Sequence, residues 1–137
     1  MNKEEFETYL ISIGGLVRTY RDYKGPIVDA KFCQCHEGWY GIIKNVIEEL
    51  IALGWNKRIN QIKEKFGGLR FYAEDLPEGG NDVIIKYERL SSTICEMCGQ
   101  SGVPREGKWI RTLCEEHSQG NKPFDAGRFN NLFNINQ

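Results

Sequence analysis

Cys95, Cys98, Cys114 and His117 form a C-x-x-C, a gap of 15 residues (99–113) and a C-x-x-H. Each close pair offers two ligands to one ion from a single turn. The gap suits a short hairpin that carries the second pair back to the first. Three thiolates and one imidazole fill the four positions of a tetrahedral ion, and zinc is the ion this donor set fits. Four protein ligands leave no position for a reacting water, so the expected role is structural: a brace for a ribbon with too little core to fold alone. A zinc deaminase would need a H-x-E and a P-C-x-x-C, but His36 is followed directly by Glu37, and Ile94 precedes Cys95. A ββα-metal nuclease would need a free histidine as base, and with His117 on the metal only His36 remains.

The second group with chemical potential is KEKFGGLRFY, residues 63–72, which concentrates cations, glycines and aromatics. From Lys57 to Tyr72 five basic residues stand against one acid, Glu64, a local charge of +4 in a chain whose formal net charge is -1. As a hairpin, alternation turns Leu69, Phe71 and Ala73 to the core. Arg70 and Tyr72 then face outward, with Lys63 and Lys65 on the neighbouring strand. Arg and Tyr are common anchors in recognition, and the cations would attract anionic groups. The competing reading is a solvated surface whose lysines protect a sheet edge. Trp39 is a further candidate to line a pocket beside this face.

Cys33, Cys35 and His36 form a third cluster. In an extended strand the two cysteines share a face and His36 points away, with no spare His or Cys to complete a second metal site. Ordinary packing, or a thiol at a binding surface, is the favoured reading.

The elements that must position these groups follow from periodicity. Phe6, Leu10 and Ile13 recur at helical spacing over about residues 3–13, with Asn2 and Glu5 as a capping box and Gly14-Gly15 as the stop. Residues 16–37 read as one or two short strands with loops. Trp39, Ile42, Ile43, Val46, Ile47, Leu50 and Ile51 form a broad apolar stripe ended by Gly54, the expected central helix. Strands over 59–65 and 69–74 are expected to join near Gly67-Gly68, where glycines supply positive φ. Val83, Tyr87, Leu90 and Ile94 predict a helix that delivers Cys95 to the metal, and Trp109, Ile110 and Leu113 a strand returning within the gap. Phe124, Phe129 and Phe133 are placed to pin an Asn- and Gln-rich tail to the body.

The expected fold class is α+β: a central amphipathic helix packed on a small antiparallel hairpin or sheet, with a C-terminal zinc ribbon. The expected division is an α+β core over 1–94, a ribbon joined to it over 95–117, and a partly ordered tail over 118–137. At 137 residues the chain supports one compact domain with a small metal-held appendage. With 40% hydrophobic and 27% charged residues it has the composition of a soluble globular protein, and its near-neutral charge confines any anion binding to a local patch. An acidic N-terminus and the lack of a long apolar run argue against a signal peptide or membrane span. A cytoplasmic location is expected, where metal-held thiolates are more plausible than disulfides.

Three strings taken together, GWY at 38–40, KEKFGGLRFY, and the C-x-x-C followed by W-I-R-T-L-C-x-x-H at 109–117, resemble a group of small bacterial, phage and prophage proteins. The likeness covers about residues 35–117 and implies a phage or prophage origin. It carries no activity, partner or binding residue with it. The leading expectation is a non-enzymatic binding protein, such as a phage counter-defence factor, that occupies a host protein or sequesters a phosphorylated small molecule through Lys63, Lys65, Arg70 and Tyr72. The second is a nucleic-acid-binding zinc protein in which the cations track phosphates and aromatics stack on bases. The third is a hydrolase or nuclease using His36 with Asp29 or Glu37.

Overall fold

The computed structural model describes residues 1–18 and 24–124. Helix α1, Lys3–Ser12, starts with the expected capping box: Asn2 Oδ1 accepts from the Glu5 amide, and Glu5 Oε1 accepts from the Asn2 amide. It ends at Gly14, whose φ of +70° suits glycine. Strands β1, Leu16–Arg18, and β2, Lys24–Pro26, pair antiparallel, and β3 is the short strand Cys33–Gln34. The described part of residues 16–37 therefore holds three strands where one or two are expected. A 3₁₀ turn, Glu37–Trp39, leads into α2, Tyr40–Ala52. Strands β4, Arg58–Lys65, and β5, Gly68–Ala73, form the hairpin, and α3 spans Gly80–Ser91.

The predicted hairpin sits inside a larger mixed sheet. β4 is its centre, with β5 antiparallel along one edge and β1 and β3 parallel to it on the other. Leu16 and Val17 pair with Arg58 and Ile59, while Cys33 and Gln34 pair with Ile62 and Lys63 further along the same strand. A bulge at Asn60 shifts the β4 register between Ile59 and Gln61. Ile59 and Ile62 are three residues apart and would face opposite sides of a regular strand. The extra residue lets both point into the core.

The core is built on α2, whose Ile43, Val46, Ile47 and Leu50 have no exposed surface, as the apolar stripe requires. They meet Ile59, Ile62, Leu69 and Phe71 from the sheet in one buried cluster. Phe6 of α1 stacks on Tyr40 with ring centroids 4.2 Å apart. The hairpin turn differs in register from the expectation. Its two central residues are Phe66 and Gly67, at φ of +53° and +80°, and Lys65 pairs with Gly68. Gly68 is thus the first strand residue, not a turn residue.

Helix α3 covers the outer edge of β5. Ser91 Oγ accepts from the Leu69 amide at 2.9 Å and Glu88 Oε2 accepts from the Phe71 amide at 3.0 Å, so donors that would otherwise wait for another strand are satisfied. The buried positions of α3 are Gly80, Ile84 and Ser91. Leu90, expected on the inner face, is exposed. Two short antiparallel strands, β6 (Val103–Arg105) and β7 (Arg111–Leu113), complete the C-terminal ribbon. Of the tail, Phe124 donates its amide to the Pro104 carbonyl and Pro123 bridges to Arg105, while Phe129 and Phe133 lie outside the described residues.

Candidate metal centre

α3 ends at Ser91, and Ile94 forms an isolated bridge with Ser101 that sets up the first knuckle. Within it the Cys95 amide donates to the Gln100 carbonyl at 2.7 Å, and the Gly99 amide donates back to the Cys95 carbonyl at 2.9 Å. Gly99 lies at φ +81°, the left-handed conformation that this tight return needs. β6 and β7 then carry the chain to Cys114 and His117, so the gap forms the hairpin the spacing predicts.

The four ligand atoms lie within 4.8 Å of one another. Cys98 Sγ is 3.7 Å from Cys114 Sγ, and His117 Nδ1 is 3.1 Å from Cys114 Sγ and 3.9 Å from Cys95 Sγ. A tetrahedral zinc with sulfur at about 2.3 Å and nitrogen at about 2.0 Å has ligand-to-ligand edges of roughly 3.5 to 3.8 Å. The observed separations scatter about those edges, so the set is placed to bind one metal ion, and its donors are consistent with zinc. Burial raises the Cys95 thiol, but the amides of Cys114, Cys98 and Met97 outweigh it and bring that thiol down to about 7. At Cys98 the Gln100 amide acts downward, and burial together with the Cys95 and Cys114 sulfurs outweighs it, so that thiol is raised.

The ribbon is fixed to the core through backbone contacts. The Gly38 amide donates to the Glu96 carbonyl at 2.7 Å, and the Trp39 indole N–H donates to the Ile94 carbonyl at 2.9 Å. Glu96, the residue after the first ligand, is itself buried. Its carboxylate accepts from the His36 amide at 3.1 Å and faces Arg111 at 3.5 Å. On the other side Thr112 Oγ1 donates to the Gly67 carbonyl at 2.6 Å, joining the ribbon to the hairpin turn. Arg105, also buried, donates to the carbonyls of Leu113 and Asn121 and pairs with Glu115. It ties the segment after His117 back onto the ribbon.

Gly38 is a structural determinant that sequence reading passed over. A Cβ there would lie 2.1 Å from the Cys95 carbonyl oxygen and 2.4 Å from that of Glu96. Only glycine lets the start of α2 approach the metal knuckle so closely. The signal was present in the GWY string, but a lone glycine before an aromatic pair has no pattern that separates close approach from a turn.

The candidate contact residues divide. The pairs Gln61 with Tyr72 and Lys63 with Arg70 set Lys63, Lys65, Arg70 and Tyr72 on the face opposite Ile62, Phe71 and Leu69, as alternation predicts. Lys63 Nζ lies 5.8 Å from the centre of the Tyr72 ring, and Tyr72 is exposed. Trp39 corrects the expectation: it is wholly buried, its indole N–H spent on Ile94, and so cannot line a ligand pocket. Among the described residues no hydrogen bond or ion pair joins His36 to Asp29 or Glu37, its expected acidic partners. Asp29 accepts from the Lys31 amide in a local turn, and Glu37 lines a different cleft from the one His36 lines.

No family model, curated protein or solved structure matches the chain. No helix among the described residues is long and apolar enough to cross a membrane.

Proposed function

We propose that this is a non-enzymatic binding protein, braced by one zinc ion on Cys95, Cys98, Cys114 and His117, that takes an anionic group on the outer face of the β4–β5 hairpin. The observation that carries the reading is the direct cross-strand pairing of Lys63 with Arg70. Like charges placed opposite each other cost stability, and an anion between them removes that cost. Among the described residues neither these two nor Lys65 is in an ion pair. Tyr72 adds an exposed ring for stacking or for an apolar contact. The anion is a phosphorylated small molecule or an acidic group on a host protein, in keeping with a phage or prophage counter-defence factor. Zinc holds the ribbon that backs the hairpin turn through Thr112 and Gly67.

A specific observation favours a second reading, nucleic-acid binding. Phe66 at the hairpin tip and Trp109 on the ribbon are exposed aromatics, each beside a cation, with Lys65 Nζ 5.7 Å from the Phe66 ring centre and Lys108 Nζ 5.9 Å from that of Trp109. Such a set stacks on unpaired bases. Titrating the protein with a fluorescent nucleoside triphosphate and with a single-stranded oligonucleotide, each over a range of salt, separates the two. The triphosphate is expected to bind with a shallow salt slope, whereas tight oligonucleotide binding that falls steeply with salt would shift the assignment. The double variant Lys63→Glu, Arg70→Glu is expected to lose at least about tenfold in affinity for the bound probe. Unchanged affinity in a folded double variant would place the contact face elsewhere.

A further inference from the structure

We propose that Cys33 and Cys35 form a dithiol that closes to a reversible intramolecular disulfide by exchange with low-molecular-weight disulfides such as glutathione disulfide. The metal ligand set uses three of the five cysteines, which leaves these two. Their sulfurs lie 3.4 Å apart. Two residues of a regular strand share a face without their sulfurs meeting. Here β3 ends at Gln34 and the chain bends at Cys35, which turns the second sulfur onto the first. Bond formation needs a further approach to about 2.0 Å, within reach of rotation about the side chains and a small movement at a position that follows the last strand pair.

The pair is also reachable. Both cysteines are half-buried and line an open cleft of about 390 Å³ between sheet and ribbon, together with His36, Glu64, Trp109 and Arg111. The Cys33 sulfur, burial, and the carboxylates of Glu96 and Glu64 all push the Cys35 thiol upward. Either sulfur can attack first. With Cys33 first, its thiolate attacks one sulfur of the incoming disulfide RSSR, whose S–S bond breaks and expels RS⁻. The Cys35 sulfur then gives up its proton and attacks Cys33 in the mixed disulfide, forming the Cys33–Cys35 bond and expelling the second RS⁻. Each RS⁻ takes up one proton, equal to the one each cysteine releases. Two protein thiols are oxidised and RSSR is reduced to two RSH. A ring closed across one intervening residue is strained, and strained disulfides are the labile kind that an intracellular thiol pool reverses.

The test uses the folded, metal-loaded full chain, equilibrated in glutathione buffers of rising oxidised fraction, then quenched in acid, alkylated, digested and weighed. The peptide carrying both cysteines is expected to lose two hydrogen atoms and its alkyl labels, to recover both with dithiothreitol, and to leave the labelling of Cys95, Cys98 and Cys114 unchanged. In Cys33→Ser and Cys35→Ser the remaining thiol is expected to hold a glutathione adduct at least about tenfold more abundant than in the unaltered chain, because no neighbour resolves it. Two fully alkylated thiols across every buffer, a lasting adduct on the unaltered chain, or a disulfide from Cys33 or Cys35 to a ribbon cysteine would each overturn the proposal. The first of these measurements needs no variant.

Discussion

Two glycines three residues apart show how much a single position decides. Gly38 presses on the carbonyls of Cys95 and Glu96, so Gly38→Ala forces helix and knuckle apart, at a cost of about 1–3 kcal/mol from overpacking. Gly41 lies in α2 with nothing within 4 Å of a built Cβ, and Gly41→Ala is expected to stabilise by about 0.5–1 kcal/mol through helix propensity alone. Urea unfolding of the pair checks the opposite signs, and a competition assay with a zinc indicator should find weaker metal retention only in Gly38→Ala. The four metal ligands were fully legible because their spacing is itself the signal. Neither the close approach at Gly38 nor the convergence of the Cys33 and Cys35 sulfurs could be read, since both depend on where the chain bends in space. Trp39 was misassigned for a related reason: periodicity marks a tryptophan as apolar but does not say which backbone carbonyl receives its N–H.

Among the elements, α2 and the β4–β5 hairpin were the most legible, because a strong 3.6-residue stripe and the alternation of Leu69, Phe71 and Ala73 leave few other arrangements. The turn slipped by one residue because Gly67-Gly68 looks like the place for two positive φ angles. The structure gives one of them to Phe66 and so keeps Gly68 in the ladder. β1 and β3 were unreadable as parallel partners of β4, being two or three residues long and joined to it only by distant contacts. The capping of β5 by α3 gives a further test. Ser91→Ala leaves the buried Leu69 amide without an acceptor and should destabilise by about 1–3 kcal/mol, whereas Ser92→Ala, half-buried and losing only a solvent-exposed hydrogen bond from its hydroxyl to the Arg89 carbonyl, should change stability by less than about 0.5 kcal/mol. Equilibrium denaturation with both variants in parallel checks this, and equal effects would mean that the edge is satisfied in some other way.

Across the whole molecule, the α+β class and the attachment of a C-terminal metal-ligand unit to the core followed from the sequence. The sheet's mixed topology emerged only with the structure. Stability at high pH reports how tightly that core is shut. Burial first, then the Glu48 carboxylate, raises Tyr9 to about 12, and burial first, then the Cys33 and Cys35 thiols, raises Tyr40 to about 12. A phenol that resists ionisation in the folded state contributes stability that is fully present below the ordinary value of 10 and is lost as pH rises through about 12. The melting temperature is therefore expected to hold up to about pH 10 and then decline, and Tyr40→Phe should reduce the decline. An equally steep decline in the variant would remove Tyr40 as its source.

The most direct test of the account is metal analysis of the purified chain by native mass spectrometry, alongside Cys114→Ser. One zinc per chain is expected, with its loss in Cys114→Ser or on chelation accompanied by loss of protection from amide exchange in residues 95–117 while α2 stays protected. A metal-free chain whose ribbon is as protected as the rest of the molecule would contradict the claim that a bound ion holds this part of the fold together.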